Sequence, residues 1–186
     1  MSDVWNEGYF TDVGYTYGYY REVSPAFQRF CLLIKGFDIP EPSRGTHCEL
    51  GFGQGVSFNI HAASNPGHFV GTDFNPSHAA HASALSGKAG TDALILDDSF
   101  EQMLQRKDMP QFDSISLHGI WTWVSRENHK AITEFARASL RCWLPDSLPL
   151  ASVWPVMAII AVGQSATIWI SSSSTEYVFE LSWSLS

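Results

Sequence analysis

Four short apolar segments, each followed by a helical segment, restrict the fold of this 186-residue chain more than any other feature of its sequence. Consecutive parallel strands need a crossover, usually a helix, and such crossovers are right-handed. The alternation therefore predicts an α/β protein with three layers, in which a mostly parallel sheet lies between helices on both faces. The predicted strands are Cys48–Leu50, Phe69–Asp73, Ala93–Leu96 and Phe112–Leu117.

The helices between these strands carry start and stop signals. Asn75 and Ser125 are residues that cap a helix N-terminus, and Gly87 is expected to end the helix that Asn75 starts. Asp98 and Glu101 have the spacing of a capping box, which predicts that Asp98 starts the helix after the third strand. Two further helices are predicted, one after Ser24-Pro25 and one over Val56–Ser64.

The first predicted strand runs directly into a glycine-rich turn, residues 51–55, with the sequence Gly-Phe-Gly-Gln-Gly. Parallel α/β sheets bind ligands at the carboxyl ends of their strands, and glycine lets the backbone approach a ligand and take a positive φ. Asp73, 18 residues beyond Gly55, stands at the end of the second strand, where a carboxylate accepts both hydroxyls of a ribose. The turn and Asp73 predict a site for a ligand that contains a nucleoside. The alternative is a structural turn and a surface acid.

The spacing of the glycines distinguishes two such ligands. A dinucleotide site requires a third small residue in the pattern G-x-G-x-x-G, but Val56 occupies that place. The glycines instead form G-x-G-x-G, and Glu49 lies two positions before the first of them. This pattern resembles motif I of the class I S-adenosylmethionine-dependent methyltransferases. Their cofactor carries an amino-acid end and a sulfonium in place of phosphates.

The resemblance to these methyltransferases extends from near residue 15 to near residue 140, and it implies a Rossmann-like fold with S-adenosylmethionine as the cofactor. Residues 70–76 resemble the ribose-binding second strand, residues 96–100 the segment that holds the adenine amino group, and residues 112–125 the fourth strand with its active-site loop. The tyrosines near the N-terminus are similar to those that precede the core in a bacterial methyltransferase subgroup. The candidate cofactor-binding residues are Tyr17, Tyr19, Tyr20, Glu49, Gly51, Phe52, Gly53, Gln54, Gly55, Asp73, Phe74, Asn75, Asp97, Asp98, Ser99 and His118.

Several of these residues also have a simpler interpretation. His118 follows the fourth strand and is the candidate catalytic base, but it can equally be a histidine that packs beneath a cofactor. Asp98 contacts the adenine in one interpretation and caps a helix in the other. The tyrosines form either a lid over the cofactor or an aromatic cover on the sheet edge. His78 and His81 are three residues apart on a helix, but with no third ligand nearby they are expected to face solvent, and no metal site is predicted.

The charged residues and the cysteines exclude other classes of protein. The chain has 11 Lys and Arg against 19 Asp and Glu, a formal net charge of −8, and it lacks the basic cluster that nucleic-acid binding needs. Its three cysteines, at wide spacings, encode neither a disulfide framework nor a zinc site. The N-terminus does not have the pattern of a secretory signal. We therefore expect a cytoplasmic protein that binds neither nucleic acid nor membrane.

The last 45 residues differ in composition from the rest of the chain. Every Lys and Arg lies at or before Arg141, and the tail holds only three acidic residues. We therefore divide the chain into an N-terminal aromatic and helical cover (1–45), a cofactor-binding core (46–141) and an atypical tail (142–186). In one interpretation the tail completes the sheet, with a strand at Met157–Val162 and a hairpin formed by Ala166–Ile170 and Glu176–Leu181 around Ser171–Ser174.

A second interpretation of the tail is a reading-frame shift near residues 138–141. One permitted choice of codons for residues 141–148, read one base later, encodes a glycine turn and then an apolar strand, as expected after the helix that ends at Leu140. The C-terminal part of the fold would then be incomplete, and the chain truncated and inactive. A third interpretation, a membrane span over residues 151–170, is disfavoured by Pro155 and Gly163.

Together, these observations predict an S-adenosylmethionine-dependent methyltransferase that acts on an unidentified acceptor. Methyl transfer from a sulfonium is an in-line displacement, which needs a nucleophile held about 3 Å from the methyl group in a dry pocket. One alternative is a binding protein that keeps the cofactor fold without turnover, and a more distant one is a nucleotide-dependent oxidoreductase. The sequence specifies neither the acceptor nor the oligomeric state.

Overall fold

The computed structural model describes residues 16–34, 44–121 and 124–140, and the backbone of residues 159–162, 166–172 and 175–181. A 3-10 turn, Arg21–Val23, precedes the first helix. The helices are α1 (Pro25–Ile34), α2 (Val56–Ser64), α3 (Pro76–Ala89), α4 (Phe100–Gln105) and α5 (Arg126–Ser139). The strands are β1 (Gly45–Leu50), β2 (Gly67–Thr72), β3 (Leu94–Leu96), β4 (Ser114–His118), β5 (Ile159–Val162), β6 (Ala166–Ser172) and β7 (Thr175–Leu181).

The strands form one sheet in the order β3-β2-β1-β4-β5-β6-β7. Strands β1 to β5 run parallel to one another. Strand β6 pairs antiparallel with β5, and β7 pairs antiparallel with β6. In the centre, Cys48 of β1 pairs with Val70 of β2 on one side and with Ile115 of β4 on the other. The predicted, mostly parallel sheet is confirmed. Because the chain order reverses between β1 and β4, the carboxyl ends of these strands border the crevice where such sheets bind ligands.

Apolar residues on the two faces of the sheet form two separate cores. Successive residues of a strand point to opposite faces, and the neighbours Phe69 and Val70 of β2 accordingly belong to different cores. Phe69 packs with residues of α2 and α3, and its ring centroid lies 6.4 Å from that of Phe58. Val70 belongs to the core that α4 and α5 cover, in which Ile132 is fully buried. Helices therefore cover both faces, and the predicted three-layer architecture is confirmed.

The start of α4 differs from the sequence prediction. Ser99 caps this helix: its Oγ accepts from the Gln102 N–H, and the Ser99 N–H donates to Gln102 Oε1, which completes a capping box. The prediction that Asp98 caps the helix with Glu101 is wrong. Asp98 lies one residue too early, because its carbonyl oxygen is held at the end of β2 by a hydrogen bond from Thr72 Oγ1.

Helix α3 also ends later than predicted. Its start is confirmed, because Asn75 accepts a hydrogen bond from the Ser77 N–H. It continues through Gly87 to Ala89, and Gly90 ends it with a left-handed φ of 67° and an N–H that donates to the Ser86 carbonyl oxygen. A glycine inside a helix costs only about 1 kcal/mol relative to alanine, which explains why Gly87 does not terminate α3.

The C-terminal strands extend the sheet beyond β4. Strand β5 pairs with β4, with Ile159 opposite Ile115, and β6 and β7 form an antiparallel hairpin. Their positions agree with the prediction, except that residues 157–158 and 173–174 lie outside the described residues. Each of β1 to β4 is followed by a helix, whereas the three residues 163–165 that connect β5 to β6 are too few for one. The C-terminal part of the fold is thus atypical, as predicted.

The structure also bears on the other interpretations of the tail. Residues 159–162 and 166–170 are strands, which contradicts a helical membrane span over 151–170. Among the residues that the structure describes, no helix has the length and apolarity to cross a membrane. Residues 141–158 lie outside the described residues, so the division of the chain at residue 141 and the reading-frame hypothesis stay predictions.

Two leucines on strands provide a matched test of the core. Leu117 of β4 is fully buried, whereas Leu94 of β3 keeps 44% of its surface exposed. Leu117→Ala should lower the free energy of unfolding by about 2–5 kcal/mol, through lost burial and a residual cavity, and Leu94→Ala by less than about 1 kcal/mol. Urea denaturation followed by circular dichroism measures both changes. Equal losses would contradict the central position of β4 in the sheet.

Candidate functional site

Three glycines shape the turn after β1. Gly51, Gly53 and Gly55 have φ angles of 71°, 58° and 71°, a region that other residues rarely adopt. A β-carbon on Gly51 would lie 2.3 Å from Ile120 Cδ1, and one on Gly55 would lie 2.4 Å from the β-carbon of Ala82. The backbone conformation therefore favours glycine at both positions, and at Gly55 the backbone and β-carbon of Ala82 also leave no space for a side chain. The turn leads directly into α2.

Hydrogen bonds tie this turn to the end of β2. The Gly51 N–H donates to the Thr72 carbonyl oxygen at 2.7 Å, and the Gly53 N–H donates to Asp73 Oδ2 at 2.8 Å. Asp73 is only 7% exposed, and its Oδ1 accepts from the Asn75 N–H at 3.1 Å. The structure thus brings together the glycine turn and the acid that the sequence analysis singled out for ribose binding.

Glu49 is a second buried carboxyl group at this end of the sheet, also 7% exposed. Burial and, to a smaller extent, the negative charge of Asp73 raise the pKa of Glu49 to about 8. At neutral pH the side chain therefore holds its proton. A cation beside these two groups would favour the ionised carboxylate and reverse this effect. The electrostatics of the site therefore suit a positively charged group.

Asp98 lies after β3, the strand on the other side of β2 from the glycine turn. Its carbonyl oxygen accepts from Thr72 Oγ1 at 2.6 Å, and its carboxylate accepts from Arg106 Nε. Arg106 also donates to Asp108 Oδ2 at 2.9 Å. The guanidinium therefore fixes the orientation of the Asp98 carboxylate, a contact that the sequence analysis missed.

Residues 16–20, which we call the tyrosine strap, are fastened to α2. The Tyr20 N–H donates to Ser57 Oγ at 2.7 Å, and Ser57 Oγ donates to the Gly18 carbonyl oxygen at 3.0 Å. His61 Nε2 lies 3.0 Å from the Tyr20 carbonyl oxygen and donates to it. The strap is therefore held through its backbone by the helix that begins at the glycine turn.

Tyr20 is the residue of the strap that reaches the end of β4. Its ring stacks on His118, with ring centroids 3.8 Å apart and planes inclined by 25°. Tyr17 and Tyr19 keep 70% and 57% of their surface exposed and lie against histidines of α3 and α2. Of the three predicted tyrosines, Tyr20 alone is placed against the predicted catalytic residue.

His118 is the last residue of β4, and Gly119 follows it with a φ of 64°. Its Nδ1 is buried and has no hydrogen-bond partner in the described part of the chain. Burial lowers the pKa of His118, and the negative charge of Glu22 opposes this effect. The imidazole is therefore neutral at pH 7, the state in which it can accept a proton.

Comparison with solved structures identifies the fold. PKMT2 from Rickettsia typhi, solved in complex with AdoHcy, superposes with a TM-score of 0.61 at 20% identity over 68% of this chain. A second structure of PKMT2 gives a TM-score of 0.60 at 21% identity over the same share. The chain has the class I methyltransferase fold. The resemblance to these methyltransferases that the sequence indicated is therefore confirmed for the fold.

Comparison of sequences adds a relative. The protein sll1526 of Synechocystis, described as uncharacterised, is 41% identical over 141 residues, which cover 74% of this chain. No family model matches the chain. The chain spans 28% of the length of the Synechocystis protein and 24% of PKMT2, so both are much longer proteins.

Three other predicted residues, two in the glycine turn and one after β2, have different surroundings. The Phe52 side chain belongs to the core, with its ring centroid 5.5 Å from that of Phe58, so it borders the crevice only through its backbone. The Gln54 carbonyl oxygen accepts from His81 Nδ1 at 2.7 Å. Phe74 is partly buried next to Asp73.

The remaining predicted residues are engaged at helix starts or face solvent. Asn75 caps α3 and Ser99 caps α4 with their side-chain oxygens. Asp97 is exposed, whereas the Asp98 side chain keeps only 17% of its surface exposed. Asp98 is therefore the better placed of these two acids for ligand binding.

The prediction that His78 and His81 face solvent is wrong. His78 Nδ1 lies 3.1 Å from Asp73 Oδ1, and His81 contacts the glycine turn through Gln54. His78 lies one turn before the fully buried Ala82, which packs on the glycine turn, and His81 lies one turn after His78 on the same side of α3. In the sequence, an inward orientation was indicated by the four-residue spacing between His78 and the small apolar residue Ala82. Among the described residues, no group of three or more side chains could hold a metal ion.

The raised pKa of Glu49 predicts how stability depends on pH. The carboxyl titrates near 4.5 when unfolded and near 8 when folded, so between these values the folded chain binds more protons than the unfolded one. Stability from this group is therefore fully present below pH 4.5 and is lost as the pH rises towards 8. Urea unfolding across this range should show wild type losing stability relative to Glu49→Gln, which cannot titrate.

Glu101→Gln is the matched control, because Glu101 is exposed on α4. Its stability difference from wild type should stay nearly constant over the same range. A constant difference for Glu49→Gln as well would refute the buried, protonated state of Glu49.

Proposed function

We propose that the chain binds S-adenosylmethionine at the glycine turn and transfers the methyl group to an acceptor. The observation that carries this proposal is the pair of buried carboxyl groups, Glu49 and Asp73, next to the turn. Two acids at this place oppose a phosphate and favour a cation. S-adenosylmethionine brings a sulfonium and an ammonium, whereas a dinucleotide brings a pyrophosphate. Glu49 is protonated until a cation lies beside it, so the site suits a sulfonium and an ammonium better than a pyrophosphate, which argues against the oxidoreductase alternative.

Each part of this cofactor has a candidate partner. Asp73 would hold the ribose, and Asp98, oriented by Arg106, would hold the adenine amino group. Glu49 and the glycine turn would hold the amino-acid end, because an ionised carboxylate stabilises a nearby ammonium group. The assignment gives a role to the acids that follow or end β1, β2 and β3.

The fold supports this proposal. PKMT2, which shares the fold, is solved with AdoHcy, the form of the cofactor that remains after its methyl group has been transferred. The chain spans only 24% of PKMT2, so the fold carries no information on the acceptor.

When bound, the cofactor supplies an electrophilic methyl group on a sulfonium. The chain's own residues must hold the acceptor in line with that group, exclude water and take up the acceptor's proton. We assign the proton to His118, because burial lowers its pKa and so favours the neutral imidazole at the carboxyl end of β4. Tyr20, stacked on this ring, would exclude water from one of its faces.

Isothermal titration with S-adenosylmethionine tests the binding step, and detection of S-adenosylhomocysteine after incubation with a cell extract as the source of acceptor tests turnover. Binding together with product formation is the result we expect. Binding without product would favour the non-catalytic cofactor-binding protein. Absence of binding by a folded chain would refute the proposal.

Replacement of the proposed ribose ligand should weaken binding. Asp73→Ala removes charge-assisted hydrogen bonds, and we expect a loss of about 1–3 kcal/mol in the free energy of S-adenosylmethionine binding by titration calorimetry. Asp92→Ala removes an exposed carboxylate between α3 and β3 and should bind like wild type. Unchanged affinity in a folded Asp73→Ala variant would show that the ligand lies elsewhere.

Ligand binding should also protect the tyrosine strap. The Tyr20 amide already donates to Ser57 Oγ, so we expect additional protection from hydrogen exchange over residues 16–19. Exchange measured by mass spectrometry, with and without saturating S-adenosylhomocysteine, gives the comparison, and the exposed end of α3 at residues 87–90 is the internal control. If the strap exchanges equally fast in both states, it does not act as a lid.

A further inference from the structure

Asp73 accepts more hydrogen bonds than the sequence analysis anticipated. Its Oδ2 accepts from the Gly53 N–H at 2.8 Å, and its Oδ1 lies 3.1 Å from both the Asn75 N and His78 Nδ1. A carboxylate offers about four acceptor positions, two on each oxygen. With His78 in place, both positions on Oδ1 are used and one position on Oδ2 remains.

The neighbours of His78 determine which of its nitrogens carries the proton. Asn75 Oδ1 accepts from both the N–H and the Oγ of Ser77 at the start of α3, so Asn75 Nδ2 is the atom that lies 3.4 Å from His78 Nε2. An amide nitrogen only donates, and therefore His78 Nε2 accepts. The proton resides on Nδ1, which donates to Asp73 Oδ1.

This contact is shielded from water. The side chains of His78 and Asp73 keep only 15% and 8% of their surface exposed. Hydrogen bonds to an ionised group are stronger than neutral ones, and a buried environment strengthens them further. A sugar hydroxyl is a weak competitor for a position that a buried imidazole N–H already occupies.

We propose that His78 sets the sugar specificity of this site, because it occupies Oδ1 and limits Asp73 to a single ribose hydroxyl. This inference rests on the proposed function, in which Asp73 holds the ribose. It corrects the expectation that Asp73 accepts both hydroxyls. Of the three donors to the Asp73 carboxylate, Gly53 and Asn75 donate through backbone N–H groups, which a substitution leaves in place. His78 donates through its side chain, which a substitution can remove.

The experiment compares S-adenosylhomocysteine with its 2′-deoxy and 3′-deoxy counterparts by titration calorimetry on the full chain. In wild type, one analogue should bind at least about tenfold more weakly than the parent, because it leaves a charged acceptor unpaired, and the other should bind within about threefold. In His78→Leu, which keeps a similar volume but no donor, both analogues should bind at least about tenfold more weakly than the parent. Asp73 can then accept both hydroxyls.

Two further variants separate the lost donor from a general disturbance. His78→Gln provides an amide donor in place of the imidazole and should restore the wild-type pattern. His68→Leu replaces an exposed histidine near the start of β2 and should leave that pattern unchanged. Circular dichroism establishes that each variant is folded.

The possible results distinguish this inference from the function on which it rests. If both analogues lose the same affinity relative to the parent in wild type, the inference is overturned and the proposed function still stands. This comparison requires only the wild-type chain. A selective pattern that persists in folded His78→Leu would also overturn it. Failure of wild type to bind S-adenosylhomocysteine would refute the proposed function, and the inference with it.

Discussion

The hydrogen bond from the Gly53 N–H to Asp73 Oδ2 is the contact on which the arrangement of the site depends. The parallel pairing of β1 with β2 ends at Leu50 opposite Thr72, so beyond that point the two strands need another link. The glycine turn provides it, because its left-handed backbone turns an N–H towards the acid that follows β2. One backbone donor thereby both closes the turn and orients a buried carboxylate.

The same geometry has an electrostatic cost. Glu49 and Asp73 are both buried, and the pKa of Glu49 is raised to about 8 as a consequence. Burial of a carboxyl group costs free energy, because its polar atoms leave water, whereas burial of an apolar residue of similar size at such a position would be favourable. The fold alone therefore gives no reason for a glutamate at this place, whereas a cationic ligand does. Titratable groups whose pKa is shifted by burial and by a like charge are characteristic of functional sites.

The features that could be predicted from the sequence are those that depend on neighbouring residues in the chain. The glycine turn, Asp73 at a strand end and the cap at Ser125 follow from local spacing, and the structure places them accordingly. The start of α4 could not be decided in this way, because Asp98 and Ser99 are adjacent capping residues with partners at the same spacing. Thr72, from a different strand, holds the Asp98 backbone outside the helix.

Helix α3 shows why the rest of the site could not be predicted. Asn59 Nδ2 donates to the Gly55 carbonyl oxygen at 2.8 Å and to the Ala82 carbonyl oxygen at 3.1 Å, and the missing side chain of Gly55 leaves room for Ala82. These contacts between distant parts of the chain set the rotation of α3 about its axis. The same rotation brings His78 to Asp73. The glycine that permits the turn therefore also decides which side chain of α3 reaches the carboxylate, and no pattern within α3 itself contains that information.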